Sequence, residues 1–113
     1  MPKQNLPHER TPVAVAQALA QLGENMSLAR VRRRMTEREL ARRTGLAVNT
    51  LRRVERGSAT TAISAYFTAL WALGLEREFA QLASPDRDLE GLTLERARTP
   101  RRVSTKKGLD GDF

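Results

Sequence analysis

The sequence predicts an all-α protein. Aromatic residues make up only 4% of its 113 residues, while Ala, Leu, Arg and Glu abound, a composition that favours helix over strand. Apolar residues recur at helical spacing: Val15, Leu19, Leu22, Met26 and Ala29 follow at intervals of four, three, four and three, one stripe on one helix face. Stop signals punctuate the chain, with Gly45, Gly57 and Gly74 each closing an apolar stretch.

Taken in order, residues 1–10 are polar, hold two prolines and lack periodicity, so a disordered arm is expected over 1–11. Thr11-Pro12 predicts a helix start, with Thr11 as N-cap and Pro12 in the first helical position. That helix runs to about Arg34, with Gly23 expected to mark a kink or a join. Thr36 and Glu39 form a capping box that opens the next helix, which turns Leu40, Ala41 and Thr44 inward and stops at Gly45. A second short helix spans Val48 to Arg56. After a polar loop, Ser58 to Thr61, a helix over Ala62 to Leu73 is expected to present Ile63, Phe67, Leu70 and Leu73 together. A last helix is expected over Glu76 to Ala83, with Phe79 and Leu82 inward, until Ser84-Pro85 breaks it. From Ser84 the chain is turn-rich and charge-balanced, with seven basic and six acidic residues. Leu89, Leu92, Leu94 and Val103 leave it a sparse apolar strip for docking on the domain or on a partner. Residues 104–113 read as a disordered tail. The expected organisation is an arm (1–11), a helical domain (12–83) and a partly disordered C-terminal extension (84–113).

Several function classes find no support. The chain has no cysteine, which excludes a disulfide framework, a thiolate zinc site and a cysteine nucleophile. His8 stands alone in the arm, so neither a metal nor a cofactor is expected. No acid pair, nucleophile–base set or Gly-rich phosphate loop appears, so the chain does not read as an enzyme. No apolar run approaches the roughly 20 residues that span a bilayer, and MPKQNLPHER lacks a signal-peptide core. A cytoplasmic protein without membrane contact is expected.

Charge is concentrated instead. The formal net charge is +7, and residues 30–56 hold ten arginines against Glu37, Glu39 and Glu55, so this window carries the whole excess. Such a patch on a balanced chain is the footprint of a polyanion. Arginine rather than lysine favours phosphate and base-edge recognition, because the guanidinium is a planar fork.

Placing Val48 at zero and advancing about 100° per residue sorts the second short helix into two faces. Thr50, Leu51 and Val54 fall near 200°, 300° and 240°, while Asn49, Arg52, Arg53 and Arg56 fall between about 40° and 140°. One face is apolar and packs inward; the other is three arginines and an asparagine. A helix fits the major groove of B-DNA, Arg pairs with guanine and Asn with adenine. The helix N-terminus also offers free N–H groups to phosphate. Two short helices joined by a tight turn, the first capped and the second basic, form a helix-turn-helix pattern over 36–57.

The stretch Met35–Gly57, MTERELARRTGLAVNTLRRVERG, resembles the helix-turn-helix domain of XRE (Cro/C1-type) repressors. It carries Glu39-Leu40-Ala41, the turn glycine Gly45, and Leu51, Glu55 and Gly57 in the family's register, and the resemblance covers about Leu22 to Leu82. It implies a five-helix lambda-repressor-like domain with an N-terminal helical extension and a C-terminal tail. It also implies that Val48, Asn49 and Arg53 meet base edges, and that Glu37, Thr60 and Thr61 lie near phosphates. Arg30 and Glu55 match a partly buried structural ion pair. Glu37 stands where glutamine is common, and is expected either to turn away as a helix-dipole partner or to accept from a cytosine amino group. Val48 replaces a frequent polar residue and meets either a thymine methyl or the interface edge. The full candidate set for DNA is Thr36, which fixes the first helix, Glu37, Val48, Asn49, Thr50, Arg52, Arg53, Arg56, Thr60 and Thr61.

The flank Tyr66–Val103, with ALWALGL, PDRD and PRRV, resembles the corresponding region of HipB-like antitoxins, which pair with HipA-type kinase toxins. The expectation is thus a homodimeric repressor on a double-stranded operator, autoregulating its own operon, with an antitoxin role. The alternative is an interaction module that mainly neutralises a toxin through its flanks. The Ala-rich face around Val15 and Leu19 packs either internally or against a second subunit. Trp71 and Tyr66 read as core or dimer-interface residues rather than ligand-stacking ones, and Arg101, Arg102, Lys106 and Lys107 as a solvated tail.

Overall fold

The computed structural model describes residues 10–98. His8 and most of the expected arm, Arg101, Arg102, Val103, Lys106, Lys107 and the expected tail lie outside the described residues. Among the described residues, helices follow one another without a strand: α1 (Val13–Arg32), α2 (Glu37–Thr44), α3 (Val48–Glu55), α4 (Ile63–Ala72), α5 (Glu76–Ala80), a 3-10 turn (Pro85–Arg87) and α6 (Leu89–Arg98). The chain divides into two compact units, one ending at Phe79 and one beginning at Ala80.

In the first unit α1 packs on α3, α2 packs on α3 and α4, and α3 packs on α4. Met26, Leu40, Leu51, Val54, Tyr66 and Ala69 meet in the core between them. Helix α1 starts one residue later than expected. Pro12 is the N-cap, and its carbonyl accepts from the Ala16 N–H at 3.0 Å. At its other end the helix closes on Arg34, whose φ is +58°: Arg34 N–H donates to Val31 O at 2.8 Å and Met35 N–H to Arg30 O at 3.2 Å. This is the double closure that usually takes glycine.

Gly23 neither kinks α1 nor joins two helices. It is buried mid-helix because α3 lies against it: a Cβ there would sit 2.5 Å from Glu55 O and 2.7 Å from Val54 O. The glycine permits backbone-to-backbone contact. Of the apolar stripe, Met26 is buried and Leu19, Leu22 and Ala29 are partly buried, whereas Val15 lies exposed beyond the packed part of the helix.

Two further expectations fail. Ile63 is 64% exposed and Leu82 65% exposed, although both were expected inward. Helix α4 instead buries Ala65, Tyr66, Ala69 and Leu70. It has no charged residue, so nothing in its sequence marks the outer side. Trp71, expected in the core or at an interface, is 59% exposed and so is not a core residue. Tyr66 is a core residue; its hydroxyl donates to Ser58 O at 2.7 Å, and burial raises its pKa. Helix α5 stops at Ala80, before the expected Ala83.

In the second unit the expected turn-rich run contains a ten-residue helix, α6. Asp88 caps it: Gly91 N–H donates to Asp88 Oδ1 at 2.9 Å and Leu92 N–H to Asp88 O at 3.0 Å. The PDRD segment that reads as a turn is thus a short 3-10 lead-in plus an N-cap.

Candidate nucleic-acid interface

Helices α2 and α3 are eight residues each and are joined by three residues. The capping box at the start of α2 is closed in both directions. Glu39 N–H donates to Thr36 Oγ1 at 3.0 Å, and Thr36 N–H donates to Glu39 Oε1 at 2.8 Å. The Thr36 backbone bond is the main reason the Glu39 carboxyl sits below its ordinary pKa. At the far end Gly45 adopts φ +78°, and its N–H reaches Ala41 O at 2.9 Å. The Thr44 hydroxyl donates to Ala41 O at 2.9 Å and accepts from Leu46 N–H at 3.1 Å, which ties the turn to the helix.

Helix α3 separates its faces as its spacing predicts. Leu51 and Val54 are wholly buried, whereas Asn49, Arg52, Arg53 and Arg56 are exposed on the other side. Val48 and Thr50 are half-buried at the margins, with Val48 packed on the core. Glu37 turns towards α3: Arg52 Nε donates to Glu37 Oε1 at 3.1 Å, and Arg52 Nη1 leans on Asn49 Oδ1 at 3.4 Å. One carboxylate in the first turn of α2 therefore orders an arginine at one edge of the basic face.

The C-terminal end of α3 is clamped from behind by α1. Arg30 grips Glu55 with Nε to Oε2 at 2.8 Å and Nη2 to Oε1 at 3.1 Å, and its Nη1 donates to Met35 O at 2.8 Å. The two side chains are 13% and 7% exposed. The bond to Glu55 raises the Arg30 pKa against the opposing effect of burial. Gly23 adds the close backbone approach beside Glu55. Gly57, at φ +74°, completes the clamp: a Cβ on it would collide with the Leu19 carbonyl and lie 2.7 Å from Ala20 Cα. So the first half of α1 does pack internally, at Leu19. The N-terminal end of α3 is the opposite. Ala47 is its N-cap and supplies no side-chain bond, which leaves first-turn N–H groups without an intrahelical partner.

Of the two threonines after α3, Thr60 is exposed, but Thr61 Oγ1 is buried and makes no hydrogen bond among the described residues. The Thr60 N–H donates to Ser58 Oγ at 3.2 Å. Two residues outside the candidate set come close to it. Arg38 and Arg42, one turn apart on α2, line an open depression of about 320 Å³ with Val48. Their i, i+4 spacing on the turn side of α2 was the available signal. Arg33 is occupied at its own helix end, donating to Ala29 O at 2.8 Å.

Among the described residues no cluster of three or more His, Cys, Asp or Glu is placed to hold a metal ion. No described helix is long and apolar enough to cross a membrane. Comparison of the chain with protein-family models, with curated proteins and with solved structures finds no match.

Proposed function

We propose that the chain is a sequence-specific binder of double-stranded DNA, a transcriptional repressor whose α3 enters the major groove. The single observation that carries this reading is the face of α3: Asn49, Arg52, Arg53 and Arg56 stand exposed together opposite wholly buried Leu51 and Val54. Helices α2 and α3 then act as a helix-turn-helix within an XRE-like, five-helix arrangement formed by α1 to α5. In this reading the side chains of Asn49 and Arg53 meet base edges. Arg56, Thr60 and the open N-terminus of α3 meet phosphates, with Arg38 and Arg42 adding to the field. Helix α1 and the Arg30–Glu55 pair hold the tilt. Two copies bind two half-sites about one helical turn apart, and repression of the protein's own operon follows if such a site lies upstream of it.

The test is selection from a random double-stranded pool. A recovered consensus, with binding that weakens steeply as salt rises, supports the reading. Recovery of no consensus, or salt-independent binding, contradicts it.

The second unit favours an added role. Leu89 and Leu94 are 70% and 57% exposed on α6, outside the helices proposed to read DNA. This supports a protein partner, of the kinase-toxin kind that the flank's resemblance implies. Deleting 84–113 then releases a co-purifying partner and leaves DNA selection intact; equal loss of both argues against separate surfaces.

A further inference from the structure

Three side chains are tied in a row: Glu37 at the start of α2, then Arg52 and Asn49 on the exposed side of α3. Arg52 Nε donates to Glu37 Oε1 at 3.1 Å, and Asn49 Oδ1 accepts from Arg52 Nη1 at 3.4 Å. The Arg52 and Glu37 side chains are 44% and 31% exposed, so the row lies open to whatever α3 meets. Its order fixes which way Asn49 faces. A guanidinium has five N–H donors and no acceptor, so only the amide oxygen of Asn49 can face it. The amide NH2 group is thereby turned to the other side, as a donor.

We propose that Asn49, so oriented, donates to guanine and not to adenine, and that Arg52 is the positioning residue that makes the choice. The inference rests on the DNA reading and names the base that reading selects. An unconstrained asparagine pairs with adenine by accepting from N6 while donating to N7. Here the oxygen that would accept faces a cation, whose remaining N–H groups stand where the adenine amino group would come. Donor would meet donor. Cytosine presents an amino donor in the same groove and fails likewise. Thymine offers one acceptor beside a methyl group, half of what the pair can fill. Guanine presents N7 and O6, two acceptors and no donor, and takes one bond from Asn49 and one from Arg52. Glu37 keeps Arg52 on this task. A carboxylate 3.1 Å away repels the phosphate that an unpaired arginine would seek.

The test is selection from a random double-stranded pool with the full chain as wild type, Asn49→Ala and Arg52→Ala. Both positions are exposed, so the variants should keep the fold. The base position whose preference Asn49→Ala weakens most is the one that Asn49 reads. There the wild type should select guanine over adenine by about ten-fold or more. Arg52→Ala releases the amide oxygen, so the preference at that same position should invert to adenine. If Arg52→Ala fails to fold, Glu37→Ala decides: it loosens Arg52 from the other end and should move the same position the same way, by less. Adenine at that position in the wild-type consensus overturns the proposal. So does an Arg52→Ala chain that keeps the wild-type base and binds every sequence more weakly with a shallower salt dependence, which is the mark of a phosphate contact. The tie itself is checked without DNA. The Arg52 Nε–H signal should be protected from exchange with water in NMR spectra of the wild type and lose that protection in Glu37→Ala; equal exchange in the two overturns the proposal. A pool that yields no consensus removes the DNA reading and the base assignment with it, whereas an adenine consensus removes the assignment alone.

Discussion

Helices α3 and α4 pack on the same core yet treat their outer sides oppositely. Helix α3 buries Leu51 and Val54 and exposes an asparagine and three arginines. Helix α4 buries Ala65, Tyr66, Ala69 and Leu70 and leaves Ile63 and Trp71 in solvent. The difference teaches when a sequence reveals orientation. In α3 polar and apolar residues segregate by angle, so only one rotation avoids burying guanidinium groups, and burying them would cost far more than any packing gain. In α4 no rotation is penalised in that way, and alanine packing decides which side faces in.

That comparison breaks most readily by core truncation. Leu51→Ala should cost about 3 kcal/mol or more of stability in urea unfolding, whereas Ile63→Ala should cost about 0.5 kcal/mol or less. Equal losses would show that the two helices are not oriented as described. Nearly as large an effect is expected at Gly23. An alanine there must push α1 away from the last turn of α3, at about 3 kcal/mol as overpacking. An unchanged midpoint would mean that the two backbones are not in contact.

Smaller effects sharpen the account of how α2 presents α3. Thr36→Ala should cost about 1 kcal/mol. The partner carboxyl, Glu39, has a lowered pKa, so the folded state favours its charged form. The stability it contributes is present above the ordinary carboxylate range and is lost as pH falls through the lowered value. Acid unfolding of Glu39→Gln should therefore lose part of the slope seen in the wild type over that range, and an identical acid limb would count against the box. Smallest is Glu37→Gln. Removing a carboxylate near phosphates should raise affinity for random DNA a little, while freeing Arg52 should lower the ratio of specific to random binding by a few-fold, on the order of 1 kcal/mol. A rise in both affinities together would deny Glu37 any part in positioning Arg52.

Much of this was legible in the residues. The capping box, the left-handed glycines at 45, 57 and 74 and the two faces of α3 each rest on local chemistry that a short window contains. The Arg30–Glu55 pair, 25 residues apart, came from family resemblance and not from spacing. What no window contains is close approach between distant segments. Gly23 looks like a helix breaker until Glu55 is known to lie against it, and Glu37 has no visible partner until α3 folds back to bring Arg52 within 3.1 Å. The helix α6 was hidden for a different reason: Asp88 begins a helix, but the proline and charges before it read as a turn.

The central claim is that the exposed side of α3 reads DNA, and Arg53→Ala tests it most directly. Arg53 is exposed on that side and has no part in the core, so the variant should fold as the wild type does. Its affinity for the selected operator should fall by about 1–3 kcal/mol and its base preference should relax at one position, with binding to random DNA changed far less. Operator affinity and base preference that both match the wild type would contradict the claim.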